Sequence, residues 1–277
     1  SSLELNIKMM PNLNICGFIY SGADTGGFAC DCTEDLLIRW NEFSMFTPLY
    51  RNHSANDTRN QEPYSFSPST TSALRTIIEN RYAYIPYIYS EYMKACMENE
   101  CYFKPMTFEY EDDNLIEDQL LVGDSLMIAP VYKQNAFGRY VYLPEEMVFW
   151  NMVSYQNRSF QVLPKGHHYI EVELEATPIF IRKGKILVLG KHSSCVDYLD
   201  NKELVAFVDE KACYNYYDDD GITKEYNNQD FQFKISIEKK DNDYEIDLYA
   251  IENCIVKKLN LTIIDTQGKE FKKELFI

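Results

Sequence analysis

No run of apolar residues in this sequence approaches the roughly 20 that a membrane-spanning helix needs, so a bilayer span is not expected. No two cysteines stand at C-x-x-C spacing. The eight present (Cys16, Cys30, Cys32, Cys96, Cys101, Cys195, Cys213 and Cys254) are scattered. In a chain of 277 residues they read as buried thiols of a reducing compartment rather than a disulfide framework, and a cytoplasmic location is the expectation. A phosphate-cradling loop is missing too, because the glycines of "GADTGGF" are not followed by the lysine such a loop requires. Positive charge is short: 27 Lys and Arg face 43 Asp and Glu, a net charge of -16. That field repels nucleic-acid backbones and anionic lipid surfaces, which are poor partners for it, and leaves neutral or cationic small molecules.

What is present suffices for a large core: 45% hydrophobic residues, with 16 Phe, 22 Tyr and 2 Trp. The first residues already follow a helical apolar pattern (Leu3, Leu5, Ile7, Met10), and no Met opens them, so the chain is expected to be part of a longer one. Residues 12–21 read as a short strand, with Ile15, Phe18 and Ile19 bounded by Gly17 and Gly22. Thr33 suits a helix N-cap, with Glu34 and Asp35 in the first turn. Leu36, Leu37, Trp40, Phe43 and Phe46 form one apolar stripe that Pro48 closes. A polar loop from Asn52 to Pro68 leads to a long helix, Ser72 to about Asn99, that Pro86 is expected to kink. "CYFKPMTFEY" reads as a further strand.

From Leu126 the pattern becomes short alternating runs, "SLMIAPVY" through "KKLNLTIID", separated by Gly, Pro and Asp turns: an all-β signature. The fold class is therefore α/β followed by all-β. A division near Cys195 rests on polar stretches either side of it. Of four glycosylation sequons, at Asn52, Asn56, Asn157 and Asn260, two crowd the loop that looks functional, and all are read as chance matches.

"GADTGGF", "DLLIRW", "FTPLYRNHS" and "QEPYSF" follow in this order. "RYAYIPYIYSEY", "FKPMTFEYEDD", "EDQLLVGDSLMIAPV", "VYLP" and "YYDDDGITKEY" come after them. In register, these resemble glycoside hydrolase family 31, the retaining α-glucosidases and α-xylosidases with transglycosylating and lyase relatives. The resemblance implies the C-terminal part of a TIM-like (β/α)8 barrel over 1–123, a proximal β-sandwich domain over 124–195 and a distal one over 196–277. It also gives a use to an aspartate at the end of a buried run, since barrel enzymes build their sites at the C-terminal ends of strands. By the same resemblance, His53 would hydrogen-bond a sugar hydroxyl and Asp24 would serve the same subsite. Phe28 would pack on the sugar ring, and Arg51 would support them by pairing with an acidic strand-end group.

The family's nucleophile motif, W-x-D-M-N-E in type, and its G-D-N acid/base segment are both absent. No catalytic residue is therefore assigned within the chain, and Asp24 and Asp57 are not taken as substitutes. The implied function is hydrolysis of terminal nonreducing α-linked glucose from oligosaccharides by double displacement, completed by an N-terminal part of the same enzyme. The alternative is a non-catalytic carbohydrate-binding or structural fragment.

Taken singly, each residue has a plainer reading. His53 is a loop histidine, Asp24 caps a turn before Gly26, Phe28 is core and Arg51 makes a structural ion pair. Cys30 and Cys32 with His53 make a poor zinc set, and no metal or cofactor is expected. "YYDDDG" reads as an Asp-Gly hairpin turn rather than a calcium loop. His167 and His168 read as surface residues before a strand. The tyrosines at 82, 84, 87, 89 and 92 read as helix packing. Open barrel edges expose apolar surface and unpaired backbone, so homo-oligomerisation of the chain expressed alone is expected. Light scattering checks this, and a compact monomer would overturn it.

Overall fold

A computed structural model of the chain describes all residues except 1, 112–115, 153–157, 192–195, 197–200, 223, 225–230 and 242. It opens with helix α1 (Ser2–Ile15), which buries Leu3, Ile7, Met10 and Asn14 along one side. Gly17, at φ 87°, stops it. The Gly17 amide donates to the Asn14 carbonyl and the Phe18 amide to the Leu13 carbonyl, both at 2.9 Å, the bonding of a glycine-terminated helix end. This corrects the strand expected over 12–21: the helical spacing runs on to Asn14, and Gly17 ends a helix instead of opening a strand.

Beyond Gly17 the chain runs beside residues 49–51 in a short parallel pairing. Leu49 donates its amide to Ser21, Thr25 donates its amide to Arg51, and Asp24 and Arg51 form a single parallel bridge. Helix α2 (Glu34–Ser44) starts at Thr33, whose side chain accepts the Leu36 amide, and ends before Pro48 is reached. Helix α3 (Pro68–Glu98) starts earlier than the expected Ser72, because Ser67 caps it and Pro68 fills its first position. Asn99, left-handed at φ 58°, closes it. Pro86 lies inside α3, and beside it the carbonyl of Ala83 accepts the Gly190 amide at 2.8 Å.

The rest is β. Of "CYFKPMTFEY", only β1 (Phe103–Pro105) is a strand; a single 3-10 turn, Met106–Phe108, follows. With β2 (Leu120–Val122), β3 (Leu126–Ile128), β5 (Met147–Met152), β6 (Phe160–Leu163) and β8 (Thr177–Arg182) it forms a six-stranded sheet in the order β1-β2-β3-β8-β5-β6. Alternation sends Val122, Leu126, Ile128, Val148, Trp150 and Ile181 toward the helices. Leu121, Met127, Met147 and Phe180 point the other way, onto a two-stranded sheet of β4 (Gly138–Leu143) and β7 (Gly166–Glu171). His167 and His168 thus lie within β7, not before it.

A second pair of sheets follows. β9 (Lys185–Leu189), β10 (Asn201–Phe207), β14 (Lys258–Ile264) and β15 (Glu270–Phe276) make one, in the order β15-β14-β10-β9. β11 (Lys211–Tyr216), β12 (Phe233–Lys240) and β13 (Asp243–Ala250) make the other. The division expected at Cys195 lies outside the described residues; β9, before it, already pairs with β10, after it. The expected Asp-Gly hairpin turn is also corrected. β11 and β12 do pair, but a long connection joins them, and its acidic start is bonded down: Tyr216 donates to Asp218, Tyr89 to Asp219, and Asp219 accepts the Gly221 amide.

Glu91 of α3 links the three regions. Its carboxylate accepts the Tyr214 hydroxyl of β11 at 2.5 Å and the Asp124 amide of the β2–β3 turn at 2.9 Å, and it pairs with Lys94. Replacing it with Ala strands these donors in a buried place, so Glu91→Ala is expected to cost about 3–5 kcal/mol. Urea denaturation checks this, and a loss under about 1 kcal/mol would refute the role given to Glu91.

Candidate functional site

The site is built where the two parallel segments end. Gly22 lets them approach: a Cβ there would lie 1.9 Å from the Leu49 carbonyl oxygen. Gly26 and Gly27, at φ 94° and 95°, then turn the chain over Trp40. The turn leaves a cleft of about 570 Å³, lined by Asp24, Phe28, Cys30, Asp31, Trp40 and Arg51 among others.

The structure brings all four sequence-predicted residues together. Arg51 Nε lies 3.0 Å and Nη2 2.5 Å from Asp24 Oδ1, so one carboxylate oxygen takes both donors. The Phe28 and His53 rings stand 5.4 Å apart and tilted by 35°. The Phe28 carbonyl accepts the Ala55 amide, which ties the two loops together. Phe28 is not a core residue here; 49% of its surface is exposed, at the edge of the cleft.

Three residues that sequence reasoning did not single out hold these loops. Gln61 donates from Nε2 to the Gly27 carbonyl at 2.8 Å, and its own carbonyl accepts from Asn52 Nδ2 at 2.7 Å. Arg81 of α3 donates to the carbonyls of Met45 and Thr47 at 2.6 and 2.7 Å, which fixes the segment leading to Arg51. Their one sequence signal was a place in the motifs, Asn52 within "FTPLYRNHS", Gln61 opening "QEPYSF" and Arg81 opening "RYAYIPYIYSEY"; a side chain that bonds backbone carbonyls otherwise leaves no pattern.

Asp31 and Cys32, two other ionisable groups here, are already engaged, Cys32 by the Thr33 carbonyl. Asp31 accepts the Arg59 amide at 2.7 Å. Burial pushes the Cys32 thiol up to about 11, against the pull of Arg59, so it stays protonated and unreactive at neutral pH. Among the described residues, no cluster of three or more His, Cys, Asp or Glu is placed to hold a metal ion.

Residues 1–91 match the profile of the glycosyl hydrolases family 31 TIM-barrel domain, and residues 99–187 that of the glycosyl hydrolase family 31 C-terminal domain. The chain belongs to glycoside hydrolase family 31. It is 33% identical over 252 residues to alpha-glucosidase 2 of Bacillus thermoamyloliquefaciens, an alignment that takes in 88% of this chain and 31% of that protein. To neutral alpha-glucosidase AB of Dictyostelium discoideum it is 32% identical over 190 residues, 68% of this chain and 20% of that one. A crystal structure of a glucosidase II alpha subunit superposes over 94% of this chain and 30% of its own length, with a TM-score of 0.79 at 24% identity. The chain thus spans less than a third of the length of these relatives. Its fold is the C-terminal part of a TIM-like barrel followed by β-sandwich domains, in the expected order.

Two substitutions separate the scaffold of the site from its surface. In Gly26→Ala, the new Cβ would sit 2.0 Å from Gln61 Oε1 in a left-handed backbone. A loss on the order of 2 kcal/mol is expected. Arg51→Ala removes a largely exposed ion pair, and its cost should stay within about 1 kcal/mol. Thermal unfolding of both variants checks the contrast; equal losses would overturn it.

Proposed function

We propose that the longer protein containing this chain is a retaining α-glucosidase that releases terminal nonreducing glucose from oligosaccharides. One observation carries this reading: Phe28 and the Asp24–Arg51 pair line one concave wall, and the His53 ring stands beside Phe28 at its edge. A neutral sugar needs an apolar surface for its ring face and a few convergent polar groups for its hydroxyls, and this wall supplies both. His53, exposed beside Phe28, is positioned to hydrogen-bond a sugar hydroxyl, while Asp24 and Arg51 neutralise each other. Relatives that carry the same stretch bear the name α-glucosidase.

The reacting carboxylates belong elsewhere. A retaining mechanism needs a nucleophile and an acid/base about 5 Å apart and free to react. Asp24 is committed to Arg51 and Asp31 to the Arg59 amide. The remainder of the longer protein is therefore the partner assigned both catalytic groups.

The test is an assay of that full-length protein on p-nitrophenyl α-glucoside. Turnover is expected, and His53→Ala should lower kcat/KM by about 10- to 100-fold through loss of one hydrogen bond near the developing charge. Absence of turnover, or an unchanged His53→Ala variant, would overturn the reading.

A further inference from the structure

The two-stranded β4–β7 sheet sends Val141, Leu143 and Ile170 into the core. On its outer face, cross-strand register sets Tyr140 opposite Tyr169 and Tyr142 opposite His167. The first pair meets edge to face at 5.1 Å, the second is tilted at 4.9 Å. Tyr140 is 74% exposed and Tyr169 53%. Four rings in two rows, about 7 Å apart along the strands, thus share one face, with Tyr140, Tyr169 and His167 exposed and Tyr142 half-buried. Cross-strand aromatic pairs do stabilise a narrow sheet, but a contiguous exposed set of this kind also marks a binding surface.

Clefts flank the rings on both sides. One, of about 320 Å³, is bounded by Tyr132, Lys133, Tyr140 and Tyr169; the other, of about 340 Å³, by Lys8, Glu117, Tyr142 and His167. Both reach Arg139 and Asp118, which pair at 2.8 Å, and Tyr132 bonds the second Asp118 oxygen at 2.8 Å. Lys8 pairs with Glu117 at 3.4 Å. Arg139 with Asp118 and Lys8 with Glu117 therefore cancel in pairs, their oxygens and N–H groups held in fixed positions, and Lys133 adds one positive charge at the rim. Ring faces between neutralised, ordered polar edges suit an uncharged polyhydroxyl chain better than a peptide or a polyanion, and the net charge of -16 further disfavours polyanions.

We propose that this face is a carbohydrate-binding site for a neutral α-glucan chain, with Tyr140 and Tyr169 as its stacking surface. It shares no residue with the Asp24–Phe28 cleft. The choice of an α-glucan rests on the α-glucosidase reading.

The experiment is native affinity electrophoresis of the full-length protein through gels containing soluble starch, in saturating glucose to fill any single-sugar site. The parent is expected to be retarded. Tyr140→Ser with Tyr169→Ser should weaken the apparent affinity about tenfold, whereas Tyr140→Phe with Tyr169→Phe should hold it within about twofold. Should the double serine variant fail to fold, Tyr140→Ser alone should still weaken retardation about threefold. No retardation of the parent, equal retardation of the serine variants, or loss in the phenylalanine variant would overturn the site. Turnover of p-nitrophenyl α-glucoside by the parent is read separately. Tyrosine-dependent retardation without turnover sinks only the α-glucosidase reading; turnover without such retardation sinks only this one.

Discussion

The Glu91 carboxylate lies where the helices, the first pair of sheets and the second pair of sheets meet, and its bonding partners come from all three. Around it, α3 offers a single buried line of polar groups. Tyr87 donates to the Val122 carbonyl and accepts the Ser125 amide, and Ser90 accepts the Tyr217 amide. Burial, with Glu91 adding to it, raises the Tyr87 and Tyr214 hydroxyls well above the ordinary phenol range, so both stay protonated donors at any pH the fold meets. Gly123 is required for the same reason: a Cβ there would fall 2.3 Å from Glu91. A buried charge with several fixed partners favours one arrangement of the regions over others, because any slippage leaves a donor or the carboxylate without a partner.

Helix α2 carries a second anchor of this kind. Arg39 and Glu42 are each about 2% exposed and pair at 3.1 Å. The Arg39 guanidinium also reaches the carbonyls of Ala136, Glu173 and Ala176 in the first β-region. Burial holds the Glu42 carboxyl well above the usual carboxylate range, against the attraction of Arg39. The pair gives up much of its mutual attraction to desolvation, so its value lies more in orientation than in net stability. It fixes α2 on the first β-region, and with it Trp40, over which the glycine turn runs.

How much of this was legible in the sequence follows from what each signal encodes. Thr33, Ser67 with Pro68, and Asn99 are local signals, and α2 and α3 start or stop at them. Gly17 was equally local but ambiguous: a glycine after an apolar run bounds a strand or closes a helix, and only the burial of Asn14 and Met10 decides. Strand β15 shows little alternation, because it is an edge strand with charged residues on most positions, and sequence reasoning passed over it. Strand β11 alternates cleanly, yet its run of Lys, Asn and Cys disguised it. The long β11–β12 connection was hidden by "DDDG", whose aspartates bond tyrosines and nearby amides instead of making a two-residue turn. Around the cleft, the motifs pointed to side chains that face outward and gave no notice of Gln61, Asn52 and Arg81, which hold the backbone behind them.

That last asymmetry reflects how such a wall is made. The Asp24–Arg51 pair is substantially exposed and contributes little to stability by itself. It can nevertheless stand in one geometry because its two backbones are already joined: Thr25 bonds Arg51, Leu49 bonds Ser21, and Gly22 permits the approach. Gln61 and Arg81 then remove the remaining freedom of the loops from behind, through the carbonyl oxygens of Gly27 and Met45. The exposed side chains are thereby left to meet a ligand without first being ordered by it, which spares binding the entropy of loop fixation. The exposed side chains of the cleft stand on loops at the strand ends, and a buried scaffold of carboxylates, guanidinium groups and glycines sets their positions.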